Sequence, residues 1–113
     1  YVVNGAKTFI TSGVRADFVT TAVRTGGPGY GGVSLLVIDK NSPGFEVSRR
    51  LDKMGWRCSD TAELSFVDVR VPAENLVGAA NSGFLQIMQQ FQAERLGIAP
   101  RVGRGSVKRS VDP

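Results

Sequence analysis

Gly27-Pro28-Gly29-Tyr30-Gly31-Gly32 runs without a break into Val33-Ser34-Leu35-Leu36-Val37-Ile38-Asp39. The glycine run satisfies G-x-G-x-x-G, the spacing that in dinucleotide-binding folds opens a helix and seats a pyrophosphate on the helix N-terminus. Here the glycines are followed by an apolar, β-branched segment bounded by breakers, which reads as strand. Without the helix the phosphate-binding reading loses its physical basis. The run is instead a flexible loop between two antiparallel strands.

Working outward from that loop, residues 1 to about 70 read as β structure. Asp17 to Arg24 is the strand before the glycines, and Phe45 to Arg49 follows the Asn41-Ser42-Pro43-Gly44 turn. Ala62 to Val69 alternates, with Leu64, Phe66 and Asp68 on one face against Glu63, Ser65 and Val67 on the other. At the start of the chain, Tyr1-Val2-Val3 and Ala6 to Thr11 flank Asn4-Gly5, a dipeptide suited to a type I′ hairpin turn. Five to six short strands with turn signals at this spacing predict a mainly β fold, an antiparallel β-barrel or sandwich.

The pattern changes after Pro72. Residues 73–82 read as a linker, with Asn81 or Ser82 placed to cap a helix. Over 83–99, Phe84, Ile87, Met88 and Phe91 recur at helical spacing, and Pro100 is expected to end the helix. Residues 100–113 are small, polar and basic without periodicity, and read as a disordered tail.

Composition narrows the chemistry. The 113 residues are 42% hydrophobic, enough for the packed core of one domain. Histidine is absent and Cys58 is the single cysteine, which removes Ser-His-Asp and Cys-His catalysis, the common zinc ligand sets and an internal disulfide framework. No apolar run approaches the roughly 18–20 residues of a membrane helix, and no targeting segment is visible. Net charge is +4, but Tyr1 to Glu94 holds nine basic and nine acidic residues, so the excess lies at the C-terminal end. A basic tail with Arg101, Arg104, Lys108 and Arg109 offers weak, salt-sensitive contact with an acidic partner such as nucleic acid. That is the alternative reading, a non-catalytic interaction module.

Three stretches carry something more specific. They are Tyr1-Val2-Val3-Asn4-Gly5-Ala6-Lys7-Thr8-Phe9-Ile10-Thr11-Ser12-Gly13; Lys53-Met54-Gly55-Trp56-Arg57-Cys58-Ser59-Asp60-Thr61 running on to Val69, Val71-Pro72 and Asn75; and Gly83-Phe84 through Phe91-Gln92-Ala93-Glu94-Arg95-Leu96-Gly97-Ile98-Ala99. In this order and spacing, residues 1–99 resemble the acyl-CoA dehydrogenase family, from its middle β-barrel domain into the first helix of its C-terminal domain. Residues 1–72 correspond to part of the middle domain and 83–99 to the start of the helical one.

The resemblance implies an enzyme that uses flavin adenine dinucleotide (FAD) to remove two hydrogens across the α and β carbons of an acyl-CoA. A carboxylate takes the α proton, hydride passes to flavin N5, and an electron-transferring flavoprotein collects the electrons. Phe9, Ile10 and Thr11 match the family motif whose aromatic lies against the isoalloxazine and whose threonine hydrogen-bonds near N5 and O4. The strand pattern by itself reads Phe9 as core and Thr11 as surface. Glu94-Arg95-Leu96 looks like the arrangement of the isovaleryl and long-chain branches, in which the glutamate before the helix arginine is the base. Glu94 continues the apolar stripe, where partial burial would raise its pKa toward the range of a general base. A local substrate-pocket role or an ion-paired stripe edge are its other readings. Gln92, Ala93 and Arg95 match positions along the acyl-CoA channel, and Arg95 also suits a surface place near a helix C-terminus. Cys58 reads as a small buried filler, Trp56 as a core or domain-contact residue, and Ser59 or Thr61 as a cap in a polar loop.

The sequence departs from the family in beginning mid-domain and in its divergent run after Ala99, so the chain by itself is expected not to hold FAD and to be inactive. Full-length relatives imply a homo-oligomer in the cytoplasm or the mitochondrial matrix, with no membrane partner.

Overall fold

A computed structural model describes the backbone of residues 1–107 and the side chains of residues 1–98. Six strands form two antiparallel three-stranded sheets: β1 (Val2–Thr11), β5 (Thr61–Arg70) and β4 (Phe45–Arg50) in the order β1-β5-β4, and β2 (Phe18–Arg24), β3 (Val33–Asp39) and β6 (Leu76–Val77) in the order β2-β3-β6. The sheets close on one apolar core. β3 contributes Leu36 and Ile38, β5 contributes Ala62, Leu64, Phe66 and Val69, and Phe45 meets Phe66 edge to face at 5.1 Å. This is the expected β architecture followed by one helix, α1 (Gly83–Val107).

The glycine run is the loop between β2 and β3, which pair in unbroken register from Phe18↔Asp39 to Arg24↔Val33. Arg24 Nη1 donates to the carbonyls of Gly27 at 2.7 Å and Gly29 at 3.2 Å, closing the loop on itself.

Four expectations are corrected. Asn4-Gly5 is not a hairpin turn: β1 is continuous and pairs with β5 from end to end. Asn4 instead holds a bulge, its Oδ1 accepting the Asp68 N–H at 2.8 Å and its Nδ2 donating to Asp68 Oδ1 at 3.1 Å. A side chain able to mimic backbone partners has occupied that role where a turn was expected. Asp68 is not on the Leu64–Phe66 face, because the same bulge (Asp68 φ 50°) shifts the parity of β5 and turns Val69 inward in its place. Trp56 is 80% exposed and Cys58 is exposed, so neither is core; both sit in the open loop before β5, where none of the described residues packs over them. Lastly, α1 runs through Pro100 to Val107. A proline removes one helical donor and kinks a helix at a cost of about 3 kcal/mol without forbidding its continuation. The rest of the basic tail, with Lys108 and Arg109, lies outside the described residues.

The stretch 73–82 is a connector containing a 3-10 turn (Ala73–Asn75) and β6, with Asn75 Nδ2 donating to the Val37 carbonyl at 2.9 Å. Beyond it α1 leaves the body. The radius of gyration is 17.6 Å, against about 13 Å for a compact chain of this length. The helix does not fold back over the sheets, and Met88, Phe91, Leu96 and Ile98 on it remain exposed.

Gly44, at the mouth of β4, has φ +88°, and a Cβ there would lie 1.9 Å from the Val67 carbonyl oxygen. The strained backbone and the clash act together, so Gly44→Ala is expected to lower stability by about 2–3 kcal/mol in urea unfolding.

Candidate functional site

Phe9, Ile10 and Thr11 end an edge strand. Lys7 pairs with Leu64 and Ile10 with Ala62, so Thr8 and Phe9 both oppose Glu63. One residue is therefore surplus on β1. The strand absorbs it at Phe9, whose φ is +61°, a conformation that a bulky non-glycine residue rarely adopts. The bulge rotates the ring out of the sheet, leaving Phe9 77% exposed. Ile10 turns inward and joins the margin of the core, in a recess shared with Lys7, Val19, Thr21 and Leu64. Thr11 is exposed. An aromatic held outward by a strained backbone is the kind of local conflict that collects at functional sites. The sequence carries the signal: Phe9 and Ile10 are adjacent large apolar residues, and a period-two strand can bury only one of them on a given face.

The turn after β1 is built to hold that strand end. Ser12 is also left-handed (φ +60°), and its N–H donates to the Asp60 carbonyl at 2.9 Å. Asp60, buried, accepts the Val14 N–H on Oδ1 at 3.1 Å and faces Arg15 Nε from Oδ2 at 3.6 Å. Lys40 Nζ bonds the Val14 carbonyl and Lys7 Nζ donates to the Ala22 carbonyl at 3.0 Å, tying the two sheets together beside the site. The loop expectation named Ser59 or Thr61 as the cap; the capping side chain is Asp60.

Gln92, Ala93, Glu94 and Arg95 lie together on the outer part of α1, and all four are exposed. Glu94 Oε1 accepts a hydrogen bond from Gln90 Nε2 at 3.1 Å, one turn back. The partial burial expected for Glu94 is not present, because no element of the described residues packs over this part of the helix. The structure gathers each set of site residues within its own element and does not join the two. α1 rests on β3, and Glu94 stands about 16 Å along the helix from Gly83. A cleft of about 330 Å³ between β1 and β2 is lined by residues that include Val3, Gly5, Lys7, Thr21 and Ala22, and by none of the expected site residues. Among the described residues no group of three His, Cys, Asp or Glu is placed to hold a metal.

Comparison with known proteins adds an independent line. Residues 1–69 match the model of the acyl-CoA dehydrogenase middle domain. A crystal structure of a probable acyl-CoA dehydrogenase from Mycobacterium abscessus is 98% identical, with a TM-score of 0.86 over 88% of this chain and 26% of that one. The acyl-CoA dehydrogenase apdG of Emericella nidulans is 48% identical over 105 residues, 92% of this chain and 24% of its own length. The mitochondrial long-chain specific acyl-CoA dehydrogenase of Mus musculus is 43% identical over 103 residues, 88% of this chain and 24% of its own length. The chain thus spans about a quarter of the length of the curated relatives it matches.

Relieving the left-handed strain at Phe9 should raise stability even as it removes the exposed ring. Phe9→Gly is expected to gain about 0.5–1 kcal/mol in urea unfolding, whereas a loss would mean that the ring packs against the body.

Proposed function

The chain belongs to the acyl-CoA dehydrogenase family, and we propose that it supplies one wall of the active site of an enzyme that removes two hydrogens across the α and β carbons of an acyl-CoA thioester. The observation that carries this reading is Phe9: a strained bulge spends free energy to present an aromatic face outward at the end of the motif strand.

That geometry fits FAD. The Phe9 ring is a flat apolar surface free to lie against an isoalloxazine, Ile10 anchors the strand in the core behind it, and the exposed Thr11 hydroxyl stands two residues on as a donor. When bound there, the flavin supplies the acceptor for the hydride that leaves the β carbon. Around it the chain's own groups divide the remaining work. Phe9 excludes water from the ring face, and the Thr11 hydroxyl steadies charge that develops at the flavin edge. Glu94 takes the α proton onto a carboxylate oxygen. This requires that Glu94 be covered by the parts of the enzyme that pack on α1, since a desolvated carboxylate is the better base. Arg95 and Gln92 provide donors for the oxygen-rich acyl-CoA, and Ala93 leaves room for the acyl chain.

Electrons pass on to an electron-transferring flavoprotein, and the whole enzyme works as a homo-oligomer in the cytoplasm or mitochondrial matrix. The span of residues in hand is one wall only, so it is inactive alone.

Two measurements test the reading. In a chimera that carries residues 1–98 in place of the matching segment of a full-length family member, Glu94→Gln is expected to abolish turnover, a loss on the order of 10³-fold or more, with flavin absorbance retained. Near-normal turnover would place the base elsewhere. The purified chain by itself is expected to be colourless after incubation with FAD and desalting; a retained flavin absorbance band would show that this wall is sufficient for binding.

A further inference from the structure

Asn81, two residues before α1, is tied to the β2–β3 loop and to β3 by a closed ring of hydrogen bonds. Thr25 Oγ1 donates to Asn81 Oδ1 at 2.8 Å, and the Asn81 N–H donates to Ser34 Oγ at 2.7 Å. Thr25 Oγ1 and Ser34 Oγ stand 2.6 Å apart. Because the Thr25 proton is committed to Asn81, the Ser34 hydroxyl must donate to Thr25. Each hydroxyl then gives once and receives once, and the ring has one consistent direction. Ser34 is fully buried, so opening the ring leaves a buried hydroxyl unmatched.

The backbone is shaped to let the ring close. Asn81 is left-handed (φ +64°), and a Cβ on Gly26 would lie 2.8 Å from Asn81 Oδ1. A Cβ on Gly83 would meet the Ser34 backbone at 2.8 Å, so the helix begins in direct contact with β3. Phe84 stacks on Tyr30 at 4.3 Å, and Gln86 Nε2 reaches the Val77 carbonyl at 3.1 Å. From Met88 to Ile98 every residue of α1 is exposed. Among the described residues the helix is clamped at its base.

We propose that Thr25, Ser34 and Asn81 are positioning residues that set the direction in which α1 leaves the sheets, and so aim Glu94. The role in aiming rests on Glu94 being the base; the role in setting the helix direction does not. A small error at the base is magnified along the helix. Glu94 lies about 16 Å from the clamp, so an error of about 5° moves its carboxylate by about 1.4 Å, and misplacement by about 1 Å is enough to lose on the order of 10² in rate. Apolar contacts alone would leave the angle soft. Three directional bonds fix it.

The test measures direction without chemistry. In the full chain with Cys58→Ser, spin labels are placed on cysteines introduced at exposed Thr20 on β2 and at Gly97, where an added Cβ meets open space. Thr25→Val removes one hydroxyl at nearly constant shape, Asn81→Gly keeps the left-handed backbone without the acceptor, and Asn81→Asp keeps the acceptor. The parent and Asn81→Asp are expected to give one narrow distance distribution. In Thr25→Val and Asn81→Gly it should broaden about twofold or shift by about 3–4 Å, the travel of a label on a helix swinging about 10°, with the thermal melt of the sheets still cooperative. An unchanged distribution in Thr25→Val overturns the proposal, whether or not Asn81→Gly folds. If Glu94→Gln retains turnover in the chimera while these distances move as expected, the assignment of the base fails and the clamp stands.

Discussion

β5 is the strand on which the other placements depend. It is paired on both sides, and Ala62, Leu64, Phe66 and Val69 are all buried, so a slip of one residue would turn its core set toward solvent. Its neighbours must yield instead. Opposite Glu63, β1 carries the surplus residue that becomes Phe9, and β4 carries Ser48, whose hydroxyl donates to the Glu63 carbonyl at 3.1 Å. At the other end β5 itself gives way, at Val67-Asp68 against Asn4. The outward aromatic is thus a consequence of register: a rigid central strand forces a misfit onto its edge, and the edge is where a ligand can use it.

The legible part of this architecture was the part written in period. β3 falls where its β-branched run falls, and the helical spacing of Phe84, Ile87, Met88 and Phe91 marks α1. The failures are places where a side chain took over a backbone role. Asn4-Gly5 has turn chemistry, but only the distant Asp68 decides that the chemistry serves a bulge, and a contact spanning 64 positions has no local signature. Asp60 is hidden for the same reason, since its partners Val14 and Arg15 lie on the far side of the sheet pairing. Cys58 as a buried filler and Trp56 as core follow from residue type, which fails in a loop with nothing packed above it among the described residues.

For the candidate site the sequence names residues and not an assembly. Phe9, Ile10 and Thr11 came from motif order, and the structure adds why that triplet splits into ring outward, isoleucine inward and threonine outward. Glu94 was located on a helix stripe, yet the stripe lacks a partner, and burial is a property of two surfaces. The two sets of candidate residues sit on different elements, β1 and α1, and α1 rests on β3.

The projecting helix also governs how the molecule behaves in bulk. A body of 61 × 30 × 22 Å diffuses more slowly than a sphere of its 12.1 kDa mass. Calibration against globular standards would therefore report too heavy a particle. Mass must be taken from light scattering or sedimentation equilibrium, where shape drops out.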